Sequence, residues 1–343
     1  MRLFSNDLGV DLGTANVLIY ADQRGIVLRE PSMVAIDRNT SKILKVGADA
    51  RNMMGRTPGN VVTMRPLKDG VITDHEMTEK MLEEFFRKVI KYSLVKPRVI
   101  VSVPSSVSEI EERAVINAAM EAGARRVYLI EEPLAAARGA NLDISGPGGH
   151  MVVDIGGGTT DIAVLTMNAV AVSNSVKVAG DSFDEAVIRL ARRRYGVVIG
   201  ASTAEDVKIN IGCVVKRPEN LAMTVTGRDL KTGLAREITL QSDELREEMY
   251  KTARRILDAI MTVLERTSPE LVADVASGGI VLTGGGSQLY GMDQLIAEKT
   301  QMPCTIADDA ASCVALGCGK CLEWLNHMTE GPINIARKRL LRN

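Results

Sequence analysis

Aromatic side chains are scarce in this 343-residue chain: one Trp, six Tyr and four Phe, 3% in all. So few rings offer little for bases to stack on, and a formal net charge of −1 gives no positive field to draw a polyanion. Nucleic acid is therefore not expected as a partner. Histidine is scarcer still: His75, His150 and His327 are too scattered to suggest a Ser/His/Asp set. The uncharged run from Val275 to Met292 is long enough to span a bilayer, but it holds six glycines and reads as strand and turn. Ser5, Asn6 and Asp7 interrupt any apolar secretory core at the start, so a cytoplasmic protein is expected.

Five cysteines, an odd number, fit reduced thiols better than a disulfide framework. Cys318 and Cys321 have C-x-x-C spacing, with Cys304 and Cys313 upstream. No histidine stands at ligand spacing and no second C-x-x-C accompanies the first, so a zinc site is not expected. The run from Cys313 to Leu325 reads instead as an amphipathic, Ala-rich helix whose cysteines pack as small core residues.

What is present is ordinary globular material. Apolar residues are 45% and charged residues 25% of a length too great for one typical core, so two domains are expected. Strand and helix signals alternate. "RVIVSVP" (Arg98 to Pro104) is a β-branched strand, and Ser106-x-x-Glu109 has capping-box spacing before a helix through Ala122. "RVYLIEEP" predicts another strand, and "LAAARGAN" a helix that stops near Gly139. This βαβα order implies parallel strands under helices. "ISGPGGH" (Ile144 to His150) reads as a linker, after which the pattern restarts. Helices are expected at Ser182–Tyr195, Thr203–Ile211 and Ser242 to about Thr267, with strands at Leu221–Thr226 and Arg236–Leu240. "GIVLTGGGS" (Gly279 to Ser287) is a buried strand meeting a glycine cluster, and Arg192, Arg193 and Arg194 read as an exposed helix face.

Each half opens with the same unit. "LGVDLGTANVLIY" (Leu8 to Tyr20) and "VVDIGGGTTDIAV" (Val152 to Val164) are both an apolar strand ending on Asp, a turn of small residues, and a second apolar strand. Glycine lets backbone N–H groups approach a phosphate chain closely, because it has no Cβ. Gly156, Gly157 and Gly158 supply one such turn; Gly13, Thr14, Ala15 and Asn16 supply the other. Asp11 and Asp154 end their strands beside these turns, where carboxylates can hold a hydrated Mg²⁺. Two hairpins facing each other across a cleft would grip one triphosphate from both sides. A tight hairpin alone needs glycine for conformational reasons; two matching turns with a third glycine cluster carry more. No P-loop motif occurs, and no strand is followed by G-x-G-x-x-G.

"DLGTAN", "IEEPLAAA", "DIGGGTTD", "TAEDVKINIG" and "LTGGGS", in this order, resemble the ATPase fold shared by actin, 70-kDa heat-shock chaperones and sugar kinases. Their wording is most similar to the bacterial actins of the MreB/Mbl family, over nearly the whole chain. The resemblance implies an α/β, duplicated, ribonuclease H-like (actin-like) fold: two large subdomains, each with a smaller inserted one, and a nucleotide between them. The expected division is residues 1–143 with an insertion at about 31–69, residues 144–330 with one at about 182–254, and a basic tail at 331–343.

By the same resemblance, Thr14, Ala15 and Asn16 form the first phosphate loop, and Gly156, Gly157, Gly158 and Thr159 the second. Glu205 and Lys208, three apart on one helix face, match adenosine contacts. Gly284, Gly285, Gly286 and Ser287 match the adenine-side loop. Glu132, directly before Pro133, matches the residue that positions the attacking water, with Thr159 assisting; its neighbour Glu131 is the alternative. The cofactor implied is ATP, or GTP in its place, with Mg²⁺ through Asp11 and Asp154.

A 70-kDa chaperone would need a peptide-binding domain, for which the sequence up to Asn343 shows no candidate. A sugar kinase would need a base for a sugar hydroxyl, and none is apparent. The resemblance thus implies an ATPase that assembles into homopolymer filaments on the inner membrane face and guides the cell-wall elongation machinery in rod-shaped cells. A non-polymerising ATPase of the same superfamily is the alternative. Leu3 and Phe4, or Leu94 and Val95 between basic flanks, are candidate lipid contacts; both can equally pack inward. The basic run Arg337 to Arg342 reads as a lipid contact or a solvated end.

Overall fold

The computed structural model describes residues 7–90, 95–326 and 333–334. Two sheets carry the architecture, and they share one strand order. In the first, Leu8–Leu12 pairs antiparallel with Asn16–Ala21, which pairs antiparallel with Gly25–Pro31. On its other side Leu8–Leu12 runs parallel to Arg98–Val103, and that strand parallel to Arg126–Glu131. In the second, His150–Ile155, Thr160–Thr166 and Ala169–Val176 form the same antiparallel meander. Ile280–Thr283 and Cys304–Ile306 extend it in parallel. Numbering the strands within each half, the order is 3-2-1-4-5 twice, with Ile333–Asn334 added at the edge of the first sheet. The matching turns seen in the sequence belong to matching hairpins.

These strands are apolar on both faces because helices and the other half cover them. Val152, Val153 and Ile155, and Ile162 to Leu165, are fully buried. Such unbroken runs are the signature of a sheet covered on both sides.

Each half carries an insertion. Between Gly25–Pro31 and Arg98–Val103 lie a three-stranded sheet (Val34–Asp37, Ile43–Val46, Val61–Met64), the short helix Ala48–Asn52 and the hairpin Leu67–Lys68/Val71–Ile72. The helix His75–Val89 follows, capped by the Asp74 side chain on the Met77 N–H. In the second half, helix Gly180–Leu190 runs into a π-helical turn, Ala191–Tyr195. Helix Ala201–Ile211, the hairpin Ala222–Asp229/Ala235–Gln241 and the long helix Ser242–Arg266 complete that insertion. The three arginines sit on the π-helical turn and are exposed; Arg193 and Arg194 pair with Glu248 and Glu244 of the long helix.

Two local readings need correction. The capping box is Ser108 with Glu111, not Ser106 with Glu109, and the helix is Glu109–Glu121. Ser108 Oγ accepts from the Glu111 N–H while the Glu111 carboxylate accepts from the Ser108 N–H at 2.7 Å. The Gly- and Pro-rich segment at 144–150 is also no free linker. Its Gly146 and Ile144 carbonyls accept from the Met167 and Asn168 amides, and Gly149 N–H donates to Asp274 at 2.8 Å.

The halves share a third apolar core. Ile100, Tyr128 and Leu134 of the first half pack there with Val152 and Leu165 of the second and with Val314, Cys318 and Leu322. The expected helix from Cys313 is shorter than its pattern, Cys313–Lys320, and tightens to a 3₁₀ segment over Cys321–Asn326. It leaves the second half to cross helix Glu132–Gly139 of the first. At the crossing a Cβ on Gly139 would stand 1.8 Å from the Cys313 carbonyl oxygen, so only glycine permits the approach. Cys318 and Cys321 are buried in this core, and burial pushes the Cys321 thiol up to about 12.

Candidate functional site

A cavity of about 470 Å³ lies between the halves, walled by the two hairpin turns and floored by carboxylates. Asp11 and Asp154 come from equivalent positions near the ends of the two first strands. Asp161 faces Asp154 across its hairpin, as its register partner. Glu132 begins the helix Glu132–Gly139, with Glu131 as the N-cap residue before it. Glu132 lines the cavity and Glu131 does not.

The floor is short of positive charge. Burial, then the neighbouring Asp154, pushes Asp11 up to about 7; a bond to Ser102 opposes this. Asp154 is likewise pushed up to about 7, mainly by burial and partly by Asp161, although Thr283 Oγ1 donates to it at 2.7 Å. Burial pushes Asp161 up to about 6, against the Ser105 backbone N–H that donates to it at 3.0 Å. Glu132 is raised well above the carboxylate range by burial and then by Asp161, Asp154 and Asp11. Four buried carboxyl groups of this kind favour a bound cation, which would lower all four together.

The two turns touch. A Cβ on Gly157 would lie 2.5 Å from the Ala15 Cβ, and one on Gly158 would lie 2.7 Å from Thr14 Oγ1. Gly157 and Gly158 thus answer to the first turn before any ligand is considered. Thr14 Oγ1 accepts from the Gly70 N–H at 2.9 Å, which ties the hairpin of residues 67–72 over both turns.

Of the residues singled out in the sequence, Asp11, Thr14, Ala15, Asn16, Glu132, Asp154, Gly156 to Thr159, Glu205, Lys208 and Gly284 to Gly286 all line this cavity. Ser287 is the exception. Its side chain is buried and its hydroxyl donates to the Gly284 carbonyl at 2.6 Å, closing the 3₁₀ turn Gly285–Gln288 instead of facing the cavity. Glu205 and Lys208 arrive already paired: Glu205 with Arg51, and Lys208 with Asp184 at 2.9 Å and with the Gly180 carbonyl at 3.2 Å. Sequence reasoning missed Gly70 and Asp181. It also missed Arg217, which stacks over the Tyr290 ring at 4.0 Å in the cavity wall. Asp161 stood in the quoted motif "DIGGGTTD" and received no role.

Comparison with known proteins decides what this geometry belongs to. The model of the family described as MreB/Mbl protein matches residues 5–330. The chain belongs to the MreB/Mbl family. It is 49% identical to the cell shape-determining protein Mbl of Bacillus cereus strain ATCC 10987, over 96% of this chain and 99% of that one. It is equally 49% identical to the cell shape-determining protein MreB of Escherichia coli strain K12, over 94% and 95%. Among solved structures, MreB5 of Spiroplasma citri bound to ADP superposes with a TM-score of 0.89 at 36% identity, covering 98% of each chain. The same protein bound to AMPPNP gives 0.87 at 36%, over 93% and 96%. The fold is therefore actin-like. The equal identity to Mbl and to MreB does not favour either paralogue. Among the described residues no helix is long and apolar enough to cross a membrane.

Proposed function

We propose that the cavity binds ATP and that the chain hydrolyses it while assembling with itself. The observation that carries this is the pair of topologically equivalent turns meeting over four buried carboxylates. The S. citri relative, whose backbone superposes closely, is described as bound to ADP and to AMPPNP, which supports an adenine nucleotide here. In this reading Thr14 to Asn16 and Gly156 to Thr159 hold the phosphates, Glu205 and Lys208 the ribose side, and Gly284 to Gly286 the base. Glu132 orients the attacking water and accepts its proton at the carboxylate, with Thr159 beside it. Ionising Glu132 requires positive charge in the floor, so substrate entry and base formation are linked.

The donor set fits Mg²⁺. Asp11 and Asp154 are two carboxylates, and Mg²⁺ is held by one or two together with waters and phosphate oxygens. The ion would supply charge neutralisation at the phosphate oxygens.

The division into residues 1–143, 144–330 and a tail at 331–343 belongs to the same reading, as do the insertions near 31–69 and 182–254. So do filament assembly, a peripheral place on the inner membrane face and a role with the cell-wall elongation machinery. The relatives' description as cell shape-determining proteins supports the role in cell shape. Leu3, Phe4, Leu94 and the basic run from Arg337 to Arg342 lie outside the described residues; Val95 is 54% exposed. Incubating the purified chain with Mg·ATP, while counting released phosphate and imaging by electron microscopy, tests the reading. Phosphate release with filaments is expected. Release without filaments would leave an ATPase of another role, and neither would overturn the proposal. Co-sedimentation with anionic liposomes, comparing assembled and unassembled protein, tests the membrane part: repeated weak apolar contacts should bind only when assembled.

A further inference from the structure

Three arginines of the first half reach across the cleft to three carboxylates of the second. Arg65 Nη1 donates to both oxygens of Asp181 at 2.8 Å. Arg51 Nη2 pairs with Oε2 of Glu205, and Arg29 Nη2 with Oδ2 of Asp309 at 2.9 Å. All three run in one direction, cation on the first half and anion on the second. Arg51 lies in the short helix Ala48–Asn52, and Arg65 directly follows strand Val61–Met64. Their partners stand on helices Gly180–Leu190 and Ala201–Ile211.

The position of two of these pairs matters. Arg51, Arg65, Asp181 and Glu205 all line a smaller cavity of about 220 Å³, which shares Ala15, Asn16, Asp181 and Glu205 with the main one. Between the two turns the halves meet through backbone and small side chains that salt cannot screen, as at Gly157 and Ala15. At the smaller cavity they meet also through charges about one-quarter to two-fifths exposed, which salt does screen.

We infer that Arg51 and Arg65, helped by Arg29, are positioning residues that clasp the cleft over a bound nucleotide and set how fast it leaves. The inference rests on the nucleotide reading above. Arg51 fixes Glu205 through Oε2 alone, so Oε1 is the oxygen that would accept from a sugar hydroxyl. The clasp is made of individually weak links, so it opens without unfolding either half. Because each link is an ion pair, its hold falls as ionic strength rises.

The test follows dissociation of 1,N⁶-etheno-ADP, chased with excess ATP, at 50 and 300 mM KCl. Exposed pairs contribute about 0.2–1 kcal/mol each, so Arg51→Ala/Arg65→Ala should release the probe roughly twofold to thirtyfold faster at low salt. It should also lose most of the salt dependence shown by the wild type. Arg65→Asp should be fast, and Arg65→Asp/Asp181→Arg should restore slow release; a merely structural role would not show this rescue. Amide hydrogen exchange at residues 13–16 and 156–159 of the nucleotide-free proteins gives a second readout, and should speed up in the double Ala variant. If wild type fails to bind the probe, the nucleotide reading falls and exchange alone judges the clasp. Unchanged release with unchanged salt dependence overturns the inference, as does unchanged exchange where the probe does not bind.

Discussion

Gly317 and Ala135 are so close that a Cβ on Gly317 would stand 1.8 Å from the Ala135 carbonyl oxygen. This contact, with its counterpart between Gly139 and Cys313, joins the C-terminal helix of the second half to the helix that carries Glu132. The obstacle is backbone, which cannot rotate away. Gly317→Ala should therefore force the helices apart at a cost of about 1–3 kcal/mol or more. Thermal unfolding should fall by roughly 1–2 °C for each kcal/mol lost. An unchanged midpoint would show slack in the crossing.

Glu132 stands in the cavity and Glu131 outside it, so the two should separate in kinetics. Glu132→Ala should lower phosphate release tenfold or more, since a positioned acid–base group contributes about 10² to 10⁴. ATP affinity should change little. Glu131→Ala should leave turnover near wild type. The reverse pattern would move the water-positioning role one residue back.

What could be read in the sequence was what depends on near neighbours in the chain. The strand–Asp–turn–strand units are local, and each appears as a hairpin with its Asp beside the turn. The capping box failed through ambiguity: Ser106-x-x-Glu109 and Ser108-x-x-Glu111 fit the same pattern, and only the second is formed. Ser287 was placed in the site because it follows three glycines; that its hydroxyl turns back to Gly284 depends on the 3₁₀ turn. The pairing of Arg51 with Glu205 spans 154 residues, and that of Arg65 with Asp181 spans 116. No periodicity carries such contacts, because they exist only once both halves are folded and facing. Gly139 reads as a helix end and Gly317 as a position inside a helix; the role of each is set by a helix from the other half.

The carboxylate floor, together with Asp184 beside Lys208, should give the nucleotide-free protein an unusual response to pH. Asp11 and Asp154 stand at about 7, Asp161 and Asp184 at about 6, all raised from 3.8 chiefly by burial. Between about pH 4 and 7 the folded state thus binds more protons than the unfolded chain, so stability falls as pH rises through that window. Glu248 and Glu111 are shifted downward and lose their protons below it, so they do not mask the trend. Calorimetry of nucleotide-stripped protein should show a lower unfolding midpoint at pH 8 than at pH 5. A flat or rising midpoint would mean that these groups are better solvated than their burial implies.

The contact between Gly157 and Ala15 allows the two possible reasons for the glycine to be separated. One is the opposite turn, since a Cβ on Gly157 would lie 2.5 Å from the Ala15 Cβ. The other is the phosphate chain, which needs open backbone N–H groups. Gly157→Ala meets both obstacles and should lower stability and nucleotide affinity together. Ala15→Gly removes the clashing methyl while leaving the new one in the second turn, where it still faces the cavity. The double variant should therefore regain most of the lost stability, to within about 1 kcal/mol, as paired changes in contact do not add. Its ATP affinity should stay at least tenfold below wild type, about 1.4 kcal/mol, because the remaining methyl crowds the phosphate side. Unfolding midpoints and equilibrium binding of ATP, measured on all four proteins, complete the cycle. If affinity returns together with stability, the glycine serves the turn-to-turn approach alone, and the phosphate role assigned to Gly157 is wrong.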